Sequence, residues 1–187
     1  RQDIRSVRFP GIISSNTLPG GGTTDYAVDI FHSFLKDENY NCFLNENTML
    51  PMIYIDDAIE SIYKIMNVKK ENLSIKSSYN LSGFSMTPKM IEIELKKFKE
   101  NFSVTYQPDN RQEIADSWPN SIDDIDAQND WDWISNYDIA NTAKEMIRRL
   151  KNNFHRPLNL LTVFLYFFAQ KKFSEAELNF DIVEYTK

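Results

Sequence analysis

Apolar residues along this 187-residue chain fall alternately into short runs and helical stripes. Ile4, Val7, Phe9, Ile12 and Ile13 make "IRSVRFPGII" a mostly apolar run, the pattern of a buried strand. After a glycine-rich stretch, Ala27, Ile30, Phe31, Phe34 and Leu35 take the i, i+3, i+4, i+7, i+8 spacing of one helix face. "NCFL" and "MLPMIYI" read as short strands, the second weakened by Pro51. Asp57 and Glu60 have the spacing of a capping box, predicting a helix buried through Ile59, Ile62, Ile65 and Met66. "SSYNLSGFSM" reads as a further strand. Thr87 and Pro88 then supply an N-cap and first-turn proline for a helix with Ile91, Leu95 and Phe98 inward. "FSVTYQ" alternates as a strand does. A last helix puts Ile139, Ala143, Met146, Ile147 and Leu150 on one side, with Asp138 as its cap. Strands alternating with helices predict an α/β protein.

Composition narrows the picture. A formal charge of −6, with no cluster of Lys and Arg beyond "EMIRRLKNNFHR", argues against nucleic-acid binding. The single cysteine, Cys42, excludes an intrachain disulfide and fits a reducing compartment. His32 and His155 with one cysteine make no zinc pattern, so no metal is expected. Past Leu150 the character changes. The tail 158–169, which holds all but the last residue of "NLLTVFLYFFAQ", is strongly apolar but shorter than the roughly 20 residues a spanning helix needs. A buried terminal element is expected there instead of a membrane anchor, with an accidental extension of the reading frame as the alternative. The sequence opens on Arg1 without a signal or transit peptide, and is expected to be a processed or incomplete product.

Two stretches carry candidate chemistry. In "GGGTTDYAVDIF", Gly20, Gly21 and Gly22 allow positive φ and close approach to bare backbone. Thr23 or Thr24 can cap the following helix, which would leave N–H groups and a positive dipole end beside two hydroxyls. That suits a small anion such as a carboxylate; a flexible turn with a threonine cap is the plainer reading. In "ADSWPNSIDD", Trp118 precedes Pro119 and is flanked by Asp116, Asp123 and Asp124. An aromatic face with carboxylates can hold an ammonium group, or the indole can simply plug the core. "DDIDAQNDWDW" fails as a calcium loop, since the twelfth position from Asp124 is Ser135 and no glycine stands at the sixth. The sequence lacks G-x-G-x-x-G, G-x-S-x-G and H-E-x-x-H.

Taken together, "RFPGIIS", "PGGGTTDYAVDIF", "LPMIYIDDAI", "SSYNLSGFSMTP" and "RQEIADSWPNSIDDIDAQNDWDW" resemble the C-terminal half of the NAD-dependent L-threonine 3-dehydrogenase family, of the extended short-chain dehydrogenase/reductase type. The resemblance covers roughly residues 3 to 150. "GGGTTDYA" and "ADSWPNSIDD" carry most of its specificity, while "YIDDAIES" also resembles nucleotide-sugar epimerases. It implies the last strands of a Rossmann fold interleaved with a small α/β substrate domain over 1–150, and an atypical tail over 151–187. The implied reaction is oxidation of L-threonine by NAD to 2-amino-3-ketobutyrate, in threonine catabolism.

The resemblance also implies roles. The backbone at Pro10, Gly11 and Ile12 would meet the nicotinamide carboxamide. Gly22, Thr23 and Thr24 would meet the substrate carboxylate, and Trp118 would wall the pocket near the amino group. The catalytic tyrosine and lysine, and the dinucleotide fingerprint, are expected upstream of Arg1. Tyr26, Tyr54 and Tyr79 have no lysine four positions on, and Tyr63 and Lys64 are adjacent. This chain alone is therefore expected to be inactive. A homodimer is implied for a full-length protein and is doubtful for this chain. The compartment implied is mitochondrial for a eukaryotic source and cytoplasmic for a bacterial one. The alternatives are a catalytically inactive truncated relative and a nucleotide-sugar epimerase or reductase. Without neighbours, the strand around Val7 is expected to leave an unpaired edge and an uncovered apolar face.

Overall fold

The computed structural model describes residues 3–75 and 77–154. Arg1, His155 and the apolar stretch 158–169 lie outside the described residues.

The first apolar run is two strands. β1 (Val7–Arg8) and β2 (Gly11–Ile13) are separated at Phe9 and Pro10, where proline has no N–H to give a ladder. β1 pairs in parallel with β5 (Tyr79–Asn80), Val7 opposite Tyr79. β2 pairs in parallel with β4 (Leu50–Tyr54), Gly11 opposite Met52 and Ile13 opposite Tyr54. β4 also pairs antiparallel with β6 (Phe84–Met86), Pro51 opposite Ser85. Pro51 thus lies inside a central strand, against the sequence expectation. The β2 pairing begins only at Met52, so the missing N–H of Pro51 interrupts no bond to that neighbour. A third sheet joins β3 (Tyr40–Cys42) in parallel to β7 (Val104–Tyr106).

"SSYNLSGFSM" is likewise split into β5 and β6. Gly83 marks the break: its N–H donates to the Met52 carbonyl at 3.2 Å. A Cβ there would lie 2.7 Å from that oxygen, so only glycine fits.

Six helices accompany these strands among the described residues: α1 (Tyr26–Leu35), α2 (Ile55–Asn67), α3 (Pro88–Lys96), α4 (Arg111–Asp116), α5 (Ile125–Trp131) and α6 (Ile139–Phe154). One core gathers Ile13, Tyr26, Ile30, Phe31, Leu50, Met86, Ile91, Leu95, Ala143 and Met146. A second collects Ile53, Ala58, Ile65, Tyr79, Leu81, Trp131 and Trp133 around β5, α2 and α5. Each fully buried Ile, Leu or Phe contributes about 1.5–3 kcal/mol relative to leaving it exposed.

Helix ends show which caps the sequence predicts well. Thr87 accepts the Met90 amide at 3.2 Å, with Pro88 opening α3. The Asp138 carboxylate takes the Asn141 amide at 2.7 Å at the start of α6. Asp57 does not cap. α2 begins two residues earlier, and the buried Asp57 carboxylate accepts from the Ser135 hydroxyl (2.9 Å) and the amides of Asn136 (3.1 Å) and Tyr137 (3.0 Å). The buried face of α2 is correspondingly Asp57, Ala58, Ser61 and Ile65, while Ile59 and Met66 are exposed and Ile62 is half-buried. Phe98, expected inward, lies beyond the end of α3 and is exposed.

Candidate functional site

The polar loop between β2 and α1 leaves the sheet at the C-terminal ends of two parallel strands, Ile13 of β2 and Tyr54 of β4. In open α/β sheets this is the end where ligands bind. Ser14 begins the loop and is buried, its hydroxyl accepting the Asn16 amide at 3.1 Å. The chain then runs out to the exposed Gly20, Gly21 and Gly22 and returns through buried Thr23 and half-buried Thr24.

One carboxylate organises the glycines. The N–H groups of Gly20, Gly21 and Gly22 all donate to Oδ2 of Asp25, at 2.7, 2.7 and 2.8 Å. Successive N–H groups aimed at one anion make a nest, and bonds to an ionised acceptor are stronger than neutral ones. Gly21 has φ +99°, a conformation that side chains disfavour. Two sequence expectations are corrected here. The helix-capping position is Asp25 rather than Thr23 or Thr24, with the Ala27 amide bonding the Thr24 carbonyl at 3.0 Å. The glycine amides are not open to an external anion, because the chain supplies its own. Asp25 was the residue sequence reading missed. Its position three residues after the last glycine was the available signal.

The loop is seated on β2. A Cβ built on Gly11 would lie 2.7 Å from the Thr24 methyl and 2.6 Å from Sδ of Met52. Gly11 and Thr24, singled out separately in the sequence, are thus in direct contact. Pro10 and Ile12 flank this contact: Pro10 is half-buried in the gap between β1 and β2, and Ile12 is 41% exposed. No strand pairs with Phe9 or Pro10 among the described residues, which leaves main-chain groups at this point outside any ladder.

Trp118 lies just past α4, its amide bonded to the Ala115 carbonyl at 3.1 Å, and its half-buried ring packs on the first core. No hydrogen bond or ring contact ties it to the glycine loop. At the start of α1, Phe43 meets Tyr26 edge-on at 6.4 Å, and the Arg111 guanidinium lies 3.2 Å over the Phe43 ring. That guanidinium is already engaged. It binds Asp109 through Nε at 3.0–3.1 Å and Nη2 at 2.6 Å, and the hydrogen bond to Asp109 pushes its pKa further up.

A depression bordered by Ser82, Gly83, Asp124, Gln128 and Trp133 lies at the end of β5. Asp124 accepts the Ser82 amide at 3.1 Å and the Gln128 side chain at 2.7 Å, and the Trp133 indole donates to the Ser82 carbonyl. These groups satisfy one another. Among the described residues no group of three or more His, Cys, Asp or Glu side chains could hold a metal, and no helix is long and apolar enough to cross a membrane.

Parallel strands joined through helices, with a loop leaving the C-terminal end of β2, define a Rossmann-like α/β fold. Comparison makes this specific. The chain is 44% identical over 154 residues to mitochondrial L-threonine 3-dehydrogenase of Bos taurus, a match covering 82% of this chain and 40% of that protein. It is 41% identical over 150 residues to an uncharacterised epimerase/dehydratase of Staphylococcus aureus, covering 80% and 47%. The structure of GalE-like L-threonine dehydrogenase from Cupriavidus necator superposes with a TM-score of 0.77 at 47% identity, covering 79% of this chain and 53% of that one. No protein-family model matches the chain. Over about four fifths of its length the chain is thus homologous to L-threonine 3-dehydrogenases and to an epimerase/dehydratase. It spans roughly two fifths to one half of the length of these relatives.

Proposed function

We propose that this chain forms the substrate side of an NAD-dependent L-threonine 3-dehydrogenase. The observation that carries the reading is the contact of Thr24 with Gly11, which sets a threonine-bearing loop against the first residue of β2. Thr23 and Thr24 donate their hydroxyls to the substrate carboxylate. With the glycine amides bound to Asp25, these hydroxyls are the side-chain donors between the glycines and α1. Gly22 and Asp25 act on the substrate only through the shape they give the loop. Trp118 lies on the ammonium side. The main chain at Pro10, Gly11 and Ile12 holds the carboxamide of NAD, which fits the position of Pro10 outside any ladder among the described residues. Bound there, NAD would supply the hydride acceptor for oxidation of the threonine β-carbon to 2-amino-3-ketobutyrate, the hydroxyl proton passing to a base. No tyrosine in this sequence has a lysine four positions later, so that base is not assigned within it.

A nucleotide-sugar epimerase is the second reading, favoured by the Staphylococcus aureus relative. Against it, a diphosphate needs free cationic forks, and Arg111 spends its own on Asp109.

The test is a chimera joining this chain to the half of the Cupriavidus necator enzyme that it does not match. It is expected to reduce NAD with L-threonine. Thr24→Val is expected to raise KM for threonine about 10- to 100-fold, the loss of one hydrogen bond to a charged group, with a smaller effect on kcat. A soluble chimera that ignores threonine and acts on a nucleotide sugar would reject the reading.

A further inference from the structure

Asp109 is fixed from both sides. The chain leaving β7 stays beside the chain leaving β3, with the Gln107 amide donating to the Cys42 carbonyl at 2.8 Å and the Asp109 amide to the Phe43 carbonyl at 3.2 Å. From that anchored position the Asp109 carboxylate turns onto the start of α4. Oδ1 accepts the Arg111 amide at 2.8 Å and Nε at 3.1 Å, while Oδ2 accepts Nε at 3.0 Å and Nη2 at 2.6 Å. One carboxylate thus fills the side-on edge of the guanidinium, Nε together with Nη2. The hydrogen bonds from Arg111 hold the Asp109 carboxyl below its ordinary value, so it is ionised at neutral pH.

Arg111 itself is set beside the glycine loop. Its guanidinium lies 3.2 Å over the Phe43 ring, which fixes its plane, and Phe43 packs on Tyr26, the first residue of α1. Asp109 has the largest influence on the pKa of this guanidinium, and the charge of Asp25 on the loop raises it further. α4 therefore carries a cation at its first residue, within electrostatic reach of the loop, and ends just before Trp118. A guanidinium stacked on an aromatic face and offered side-on suits bidentate recognition of phosphate as well as of carboxylate. With side chains 25% and 40% exposed, the pair with Asp109 is of small worth to folding. Its larger consequence is for what else Arg111 can bind.

We propose that Asp109 is a positioning residue that sets substrate class: by filling the Nε/Nη2 edge of Arg111 it closes that cation to phosphate groups and so excludes nucleotide-linked substrates. A diphosphate approaching Arg111 must displace a carboxylate tethered two residues away, whose effective concentration is on the order of millimolar or more. It also meets the negative charges of Asp109 and Asp25 together. A small carboxylate held by the hydroxyls of Thr23 and Thr24 needs no such displacement. The proposal rests on the reading of the glycine loop as the substrate side, and does not require that the substrate be threonine.

Inorganic pyrophosphate titrated into the full chain, followed by calorimetry, tests this without turnover. Asp109→Asn is expected to bind it at least about tenfold more tightly than the parent chain does, through charge-assisted bonds to the freed edge. Asparagine keeps an oxygen acceptor for the Arg111 amide, so circular dichroism and melting should match the parent. Adding Arg111→Gln to that variant should return binding to the parent level. Unchanged affinity in Asp109→Asn overturns the proposal, as does a gain that survives Arg111→Gln. Should the variant not fold, the parent chain decides by itself: its Arg111 Nε–H resonance is expected to hold its position as pyrophosphate is added, and a saturable shift overturns the proposal. The threonine reading is judged separately, by the chimera. A chimera inactive on threonine, with Asp109→Asn still gaining pyrophosphate, rejects that reading and keeps the closure of Arg111; a chimera active on threonine, with no gain in Asp109→Asn, does the reverse.

Discussion

Asp25 converts three flexible residues into a fixed turn by placing one carboxylate oxygen where three amides converge. Its removal should therefore be felt locally. In Asp25→Ala, amide exchange at Gly20, Gly21 and Gly22 is expected to accelerate about 10- to 100-fold, as charge-assisted bonds worth about 1.5–3 kcal/mol are lost. Amides in the middle of α1 should keep their protection; loss of protection throughout α1 would mean that Asp25 supports the helix and not the loop. The sequence made the loop legible as a polar, conformationally special segment between a strand and a helix. It did not reveal which anion the glycine amides bind, because hydrogen-bond direction within a turn has no hydrophobic period. Gly11 was similar. Its place in a strand was readable, but the two neighbours crowding it come from residues 24 and 52.

Among elements, α2 and α6 are joined by charge. Arg149 donates to Asp56 and to Glu145, Arg148 also binds Glu145, and the Tyr137 hydroxyl donates to Asp56 at 3.1 Å. The hydrogen bond from Arg148, with that from Arg149, holds the Glu145 carboxyl down at about 2, against an ordinary value of 4.5. A carboxyl depressed on folding adds stability above its unfolded value, and loses it as pH falls toward the folded one. The melting temperature of the parent chain should accordingly fall between about pH 4.5 and 2 more steeply than that of Glu145→Gln. Parallel slopes would show that the pair contributes nothing to folding. The same helix explains a misread face. α2 has two apolar stripes, and periodicity favours the one richer in large side chains, Ile59, Ile62 and Met66. The sheet instead takes Ala58 and Ser61, whose small size permits close approach of helix to strand. Helix α6 was easier to read because its large apolar residues share one face and a side chain caps it.

For the whole molecule, α/β alternation was legible because each strand or helix announces its period. The pairing of β1 with β5 and β3 with β7 was not, since residues more than sixty positions apart leave no local mark of their partnership. If threonine chemistry needs a base that this sequence does not hold, the isolated chain mixed with NAD and L-threonine should form no NADH. Sustained absorbance growth at 340 nm (the standard readout, about a millimolar of each reactant) would place a competent base among its own residues.

Asp57 carries a consequence beyond holding two segments together. Its carboxylate grips the backbone of Asn136 and Tyr137, the latter 80 positions away, and so ties off a circuit containing α2 through α5. Closing a circuit costs free energy only as the logarithm of its length, about 0.6 kcal/mol per doubling. Insertions or deletions at exposed bends inside the circuit are therefore cheap, provided the knot at Asp57 holds. Evolution can lengthen or trim that region, and an engineer can graft into it, while the glycine loop at residues 20–22 stays outside the circuit and keeps its shape.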